Sequence, residues 1–344
     1  MKAVFKRKPA KGMELIEAPV PKIGPRDVLI KVSIASICGT DVHIYDWSRW
    51  AQQRFTPPRI IGHEFVGRVV KTGEEVTYVK SGDRVSAESH ITCGHCYQCQ
   101  NGYAEVCRDF KLLGVDHDGT FAEFFVLPEH CLWKNDPDIP DERATIQEPF
   151  GNAVDTVLSE DISAKTVLIL GAGPIGLFAT GIAKACGASL IILSDPNDYR
   201  LAIGRKMGAH ITVNPRKQDV IKIVIDATKN NGVDVVLEFS GSNQALNQGL
   251  KVITPGGRLS LLGIYERSVN IDLNREVIFK KIRIYGITGR KIFSTWHKTS
   301  RFLSSGLVDP TPILTHQFPL KDYEKGMKLM REGKCGKVIL RVDG

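Results

Sequence analysis

Four cysteines follow the spacing Cys93-x2-Cys96-x2-Cys99-x7-Cys107. Four thiolates so placed close a tetrahedral shell around zinc and leave no open position, which makes such a site structural. A ferredoxin-type iron–sulfur run ends in x3-Cys-Pro, whereas here the last gap is seven residues and Arg108 follows Cys107. A second set is dispersed along the chain: Cys38-Gly39-Thr40-Asp41-Val42-His43, then Gly62-His63-Glu64. Taken singly, each of these residues is an ordinary buried cysteine, histidine or acid. Together they offer thiolate, imidazole and carboxylate, the ligand types of a catalytic zinc that keeps one position open. Thr40 and His43 are placed to carry a proton away from a hydroxyl polarised by that metal. Glu148, in Gln147-Glu148-Pro149, adds a further carboxylate.

A third constellation concerns a nucleotide. Thr166 to Asp195 reads TVLILGAGPIGLFATGIAKACGASLIILSD. The apolar run Val167–Leu170 has the length and branching of a buried parallel strand. Gly171-Ala172-Gly173-Pro174-Ile175-Gly176 supplies G-x-G-x-x-G, and a helix is expected to run on to about Cys186, with Gly187 just past its end. Gly171 permits the tight turn, Gly173 has no Cβ to block a pyrophosphate, and Gly176 lets helix and strand pack closely. The helix N-terminus then faces the phosphate charge. A second strand, Leu190–Ser194, ends at Asp195, where a carboxylate can accept hydrogen bonds from a ribose diol. That acid favours NAD over NADP, because a 2′-phosphate would set like charges together.

The elements that must hold these residues change character along the chain. From residue 1 to about 90, short strands are expected at Ala3–Phe5, Leu15–Glu17, Val28–Ile34 and Glu64–Thr72, separated by glycines and prolines, as in a mostly β domain. Strand patterning returns at Gly119–Leu127. From about Leu158 strands and helices alternate. Strands are expected at Val167–Leu170, Leu190–Ser194, Ile211–Val213, Asp234–Glu238, Arg258–Leu262 and Arg283–Ile287, with helices such as Asp219–Lys229 and Asn243–Ile253 between them. That alternation describes a doubly wound α/β sheet. The tail adds a helical pattern at Tyr323–Glu332 and a last strand at Lys337–Val342.

Composition narrows the function classes. The 344 residues are 42% hydrophobic and 24% charged, with a formal net charge of +8 spread along the chain. No basic stripe with interleaved aromatics points to nucleic acid. Thr166 to Ala183 carries no charge, but Gly171, Gly173, Pro174, Gly176 and Gly181 interrupt it, so a membrane span is not expected. The start, MKAVFKRKPAKG, has no apolar signal-peptide core. Cysteines clustered for a metal suit a reducing compartment.

The motifs Cys38-Gly39-Thr40-Asp41-x-His43, Gly62-His63-Glu64, the four-cysteine lobe and the glycine fingerprint stand in one order and spacing, and by them the chain resembles the zinc-dependent medium-chain alcohol dehydrogenase family. The resemblance implies a GroES-like, mostly-β catalytic domain over residues 1–147, with a structural-zinc lobe at about 90–110. A Rossmann domain for NAD is implied over 148–292 and a return to the catalytic domain over 293–344. It implies two Zn2+ per chain, one on Cys93, Cys96, Cys99 and Cys107, the other catalytic on Cys38 and His63 with Glu64 or Glu148 as third protein ligand. Thr40 and His43 become a proton relay, and Ile175, Asp195, Arg200, Leu262, Gly263, Ile264, Gly286 and Ile287 line the NAD site with Gly171, Gly173 and Gly176.

Within the family, Asp41 to Trp47, Trp50-Ala51-Gln52, Tyr285 to Arg290 and Thr295-Trp296 are similar to members that oxidise the C3 hydroxyl of L-threonine. Such members usually carry an acid between the two tryptophans, where this chain has Ser48-Arg49. The expectation is therefore a cytoplasmic homotetramer acting on a small molecule, with no nucleic acid and no membrane partner. A polyol or 2,3-butanediol dehydrogenase is the alternative, and a non-catalytic zinc- and NAD-binding regulator the remote one.

Overall fold

A computed structural model describes residues 1–342. The chain divides into two compact units. The first comprises Met1–Glu148, Lys291–Ser304 and the segment from Leu314 onward; the second comprises Pro149–Arg290 with Ser305–Ile313.

The first unit is built on a seven-stranded sheet. Its order is Leu132–Lys134, Arg84–Ala87, Glu64–Thr72, Asp27–Ser36, Lys337–Arg341 and Leu314–Pro319, with Phe124–Pro128 also paired to Asp27–Ser36. The strand Asp27–Ser36 is the hub. Val28, Ile30, Val32 and Ile34 point into the core while Lys31 faces out, the two-residue period of a half-buried strand. Phe65 and Phe125 meet edge to face across its neighbours, ring centres 4.7 Å apart. Gly119 to Phe121, expected to be strand, instead donate their N–H groups to the carbonyls of Ile60, Gly62 and Ile61, and the strand proper begins at Phe124.

Two adjacent registers fix the geometry of the site. Ser36 lies opposite Glu64 on one side and opposite Ile339 on the other. The last turn of chain before the Cys38 motif, the Gly62-His63-Glu64 motif and the start of the strand Lys337–Arg341 therefore meet at one end of the sheet. Beyond it lies a helix with no periodic signal in the sequence, Gly39–Asp46. The Asp41 side chain accepts the Cys38 N–H at 2.9 Å at its start, and Trp47 ends it in the left-handed conformation at φ 55°. Ser48 then caps the short helix Arg49–Arg54.

The second unit is a six-stranded parallel sheet in the order Ile211–Val213, Leu190–Ser194, Thr166–Leu170, Val233–Glu238, Ile253–Leu261 and Arg283–Gly286. Numbered along the chain this is 3-2-1-4-5-6, the doubly wound arrangement. Val167 to Leu170 are fully buried, as a strand covered on both faces requires. The uncharged stretch noted above splits into the strand Thr166–Leu170 and the helix Pro174–Ala185, and no helix among the described residues is long and apolar enough to cross a membrane. The strand Ile253–Leu261 begins earlier than expected, directly after the helix Asn243–Val252. The register with Val233–Glu238 shifts between Val233 and Val235, so Thr254-Pro255-Gly256-Gly257 hides the strand from its sequence pattern.

Candidate functional sites

In the first unit, ligand atoms of Cys38, His63 and Glu64 lie within 4.8 Å of one another, and so do those of Cys93, Cys96, Cys99 and Cys107. Within the four-cysteine lobe the sulfur separations are 3.5 Å for Cys96–Cys99, 3.8 Å for Cys96–Cys107 and 3.5 Å for Cys93–Cys107. Zinc–sulfur bonds of about 2.3 Å in a tetrahedron put sulfurs about 3.8 Å apart, so the lobe fits zinc as it stands. Backbone N–H groups of Cys99 and Arg108 aimed at Cys96 bring its thiol down to about 6. Burial, followed by the neighbouring thiols, pushes Cys99 up to about 12. Four sulfurs crowded this way accept full deprotonation only with a cation among them.

The Cys38 group has the same need. His63 is 5% exposed and Asp41 fully buried, with Asp41 Oδ1 3.9 Å from His63 Nδ1. Neither of these two atoms has a hydrogen-bond partner among the described residues. Burial opposes charge on His63, but the Cys38 thiolate and then Asp41 outweigh it and raise the imidazole to about 10. Burial likewise lifts Asp41 to about 6, with His63 pulling the other way. A buried pocket of thiolate and carboxylates that draws positive charge this strongly suits a divalent cation.

Thr40 and His43, three residues apart, share a face of the helix Gly39–Asp46. Thr40 Oγ1 lies 3.8 Å from Cys38 Sγ, and His43 Nδ1 lies 3.2 Å from Ser48 Oγ. Glu148 is 7% exposed, and its Oε1 accepts the Ser89 hydroxyl at 2.8 Å. It stands outside the cluster of Cys38, His63 and Glu64. Asp46 is turned to Arg331, 3.0 Å away, and Trp47 packs edge-on against Phe55.

In the second unit the nucleotide-type residues gather at the carboxyl ends of the parallel strands, where such sheets bind ligands. Gly171 adopts φ +99°, which side chains rarely tolerate. A Cβ on Gly176 would meet the Gly171 carbonyl oxygen at 1.9 Å, whereas a Cβ on Gly173 would meet nothing within 4 Å. The first glycine thus serves the turn, Gly176 the packing of helix on strand, and Gly173 an open approach to the backbone. Asp195 accepts the Ala172 N–H at 2.7 Å and the Asn197 N–H at 2.8 Å. It braces the glycine loop as well as ending its strand. Ile175 stands in the first turn of the helix Pro174–Ala185, and Arg200 on the helix Asp198–Met207 has an Nε without a hydrogen-bond partner among the described residues. Leu262 and Gly263 donate their N–H groups to the Glu238 carbonyl, Ile264 is 75% exposed, and Ile287, next to Gly286, donates to Leu261.

Several supporting residues gave no signal in the sequence. Glu238 is fully buried; its carboxylate accepts the Ser240 N–H at 2.7 Å and the Tyr265 hydroxyl at 2.8 Å, and so shapes the loop beside the glycine turn. Ser36, Ser89 and Lys337 are other cases: their partners come from distant segments.

Two family models match the chain: the alcohol dehydrogenase GroES-like domain over residues 24–141 and zinc-binding dehydrogenase over residues 174–305. The chain belongs to the zinc-binding alcohol dehydrogenase family. It is 54% identical over 340 residues to an L-threonine 3-dehydrogenase of Pyrococcus abyssi, covering 98% of both chains. To an L-threonine 3-dehydrogenase of Bacillus velezensis it is 51% identical, over 99% of this chain and 98% of the relative. Among solved structures, a protein described as a short chain alcohol dehydrogenase from E. coli CFT073, complexed with NADH, superposes with a TM-score of 0.91 at 29% identity, over 99% of each chain.

The two inner glycines separate packing from binding. Gly176→Ala should lower the urea midpoint by an amount equivalent to about 1–3 kcal/mol, the usual cost of overpacking. Gly173→Ala should leave that midpoint in place yet weaken NAD binding at least about tenfold, read by fluorescence titration. The opposite pattern would show that Gly173 is a packing residue and not part of a dinucleotide site.

Proposed function

We propose that this chain oxidises the C3 hydroxyl of L-threonine with NAD, giving 2-amino-3-oxobutanoate and NADH, and holds one catalytic and one structural zinc. The observation that carries the reading is 54% identity along 98% of the chain to a threonine dehydrogenase, with Cys38, Thr40, His43 and His63 all present. When bound, zinc supplies a Lewis acid for the substrate hydroxyl and NAD supplies the hydride acceptor.

The remaining work falls to the chain's own residues. Cys38 and His63, with a carboxylate from Glu64 or Glu148, hold the metal and leave a position for the alcohol. Asp41 faces His63 Nδ1 from a buried position, 3.9 Å away, and favours positive charge on it. Thr40 Oγ1 takes the alcohol proton and passes it toward His43. Ser48 engages His43 Nδ1, so Nε2 is the atom that exchanges the proton with solvent. In the second unit the backbone N–H groups opened by Gly173 receive the pyrophosphate. Asp195, with Arg200 nearby on the next helix, takes the adenosine ribose, and the segments Leu262–Ile264 and Gly286–Ile287 flank the nicotinamide end. Cys93, Cys96, Cys99 and Cys107 hold the structural zinc; reduced thiolates suit a reducing compartment, and the cytoplasm is the one we assign.

The assembly we assign is a homotetramer. It is supported by the strand Arg283–Gly286 at the sheet edge and by Leu273, Ile278 and Phe279 at 60%, 61% and 81% exposure in the same unit. Light scattering should give about four chains per particle, and Phe279→Asp should lower that number; a monomeric parent would refute the assignment.

The substrate is tested by initial rates. L-threonine should exceed 2,3-butanediol and sorbitol in kcat/KM by at least about tenfold, roughly 1.4 kcal/mol of transition-state discrimination, with NAD preferred to NADP. A neutral diol as best substrate would transfer the assignment to the butanediol or polyol enzymes. The proton path is tested by His43→Ala, which should lower kcat by about 10²–10⁴-fold at neutral pH. Metal analysis of that variant should still find two zinc ions per chain, and loss of one would mean that His43 is a ligand.

A further inference from the structure

Lys6 ends the strand Lys2–Lys6 and is fully buried, although the residues that follow it, Arg7 to Lys11, are exposed. A buried ammonium is costly unless its three N–H groups find acceptors. Lys6 Nζ finds three, all of them backbone carbonyls: Ala10, Gly12 at 3.0 Å and Tyr45 at 3.3 Å. Asp46, the acid that bears on the ammonium, is itself engaged by Arg331 at 3.0 Å. Burial pulls the lysine down to about 8, with Asp46 opposing. A further contact is aromatic: Nζ stands 5.3 Å from the centre of the Trp47 ring.

These contacts converge on the end of the helix Gly39–Asp46. The last carbonyls of a helix have no intrahelical donor, and the helix dipole favours positive charge beside them. The Tyr45 carbonyl accepts from Lys6 Nζ and from the Gly12 N–H, the latter at 2.8 Å. Trp47 is left-handed at φ 55°, a conformation that a bulky side chain adopts only at a cost. Its ring is held by the Lys6 ammonium and edge-on by Phe55. That turn brings the chain back on the helix: the Ser48 N–H reaches the His43 carbonyl at 3.1 Å, and Ser48 Oγ stands 3.2 Å from His43 Nδ1. A run of contacts therefore leads from Lys6 through Tyr45 and Trp47 to Ser48 and His43.

We propose that Lys6 is a positioning residue for the proton relay: its ammonium locks the end of the relay helix and the left-handed turn at Trp47, and thereby holds Ser48 on His43 Nδ1. The inference rests on the relay of Thr40 and His43 proposed above. Lys6 acts on the turn and not on the reacting atoms. A methionine in its place keeps the bulk but leaves three carbonyls without their donor and the ring without its cation.

A double-mutant cycle with His43 tests this on the zinc-loaded enzyme, with NAD and the best of the alcohols compared above. Lys6→Met should lower kcat roughly ten- to hundredfold, the order that a small misplacement of a reacting group costs. KM for NAD should stay within about twofold and the zinc content should match the parent. Lys6→Arg, which keeps the charge, should recover most of the loss. In the His43→Ala background, Lys6→Met should cost less than about twofold more, because the group it positions is gone. An equal loss in both backgrounds overturns the inference, and so does native kcat in Lys6→Met, which would leave the relay itself standing. Native kcat in His43→Ala removes the relay and the inference with it. Should Lys6→Met fail to fold, Trp47→Leu takes its place in the cycle, since it removes the ring the ammonium holds and leaves the lysine on its carbonyls. Native kcat in that variant, or an equal loss in both backgrounds, likewise overturns the inference.

Discussion

Buried negative charge is the constraint around which the first unit is arranged. Asp41 and Glu64 are fully buried, and Glu148 nearly so; Glu64 lies within 4.8 Å of the Cys38 thiol. Ionised carboxylates in a dry interior are costly unless each finds a partner. Lys337 and Ser36 answer Glu64, the Cys38 N–H answers one oxygen of Asp41, and Ser89 answers Glu148. Asp41 Oδ1 and His63 Nδ1 face each other without a hydrogen bond. The ligand atoms of Cys38, His63 and Glu64 meet within 4.8 Å of one another, a setting that suits a divalent cation. The sheet registers follow from the same need, since they bring the three segments to one end of the hub strand.

The second unit meets the opposite problem with the same type of residue. The carboxyl ends of parallel strands and the start of a helix present N–H groups with no helical or ladder partner, a favourable setting for a pyrophosphate. The loops that carry those groups must nevertheless hold still. Two buried acids do this: Asp195 ties its own strand end to the glycine loop, and Glu238 ties together Ser240, Gly241 and Tyr265. Negative charge is here a brace for donors, whereas in the first unit it is a ligand in waiting.

The four-cysteine lobe has little else to hold it. It is framed by the two-residue strands His90–Ile91 and Lys111–Leu112 and contains two short helical turns, Tyr97–Gln100 and Ala104–Val106. Tyr97 and Tyr103 are largely exposed, so hydrophobic burial contributes little there. A bound zinc would serve in place of a core, because its ligands can be gathered and deprotonated only in the folded lobe.

The sequence by itself determined whatever depends on residues close together in the chain. The four cysteines, the Thr40–His43 pair, the glycine turn with its helix, and the alternation of strands and helices after Leu158 are local patterns whose chemistry is set by spacing. The parallel, doubly wound sheet followed from them, because βαβ units have few ways to pack. The tertiary structure decided what depends on strand register and burial. The helix Gly39–Asp46 is stabilised by Asp41 at its start and by packing, and leaves no clear apolar period. The role of Asp195 as a brace needs Ala172 from another strand end, and Glu238 gains its role only when Tyr265 folds back on it. Above all, nothing in the text of the chain distinguishes Lys337 from the other lysines. Its neighbours in sequence are not its partners, and only the pairing of three strands carries it 273 residues back to Glu64.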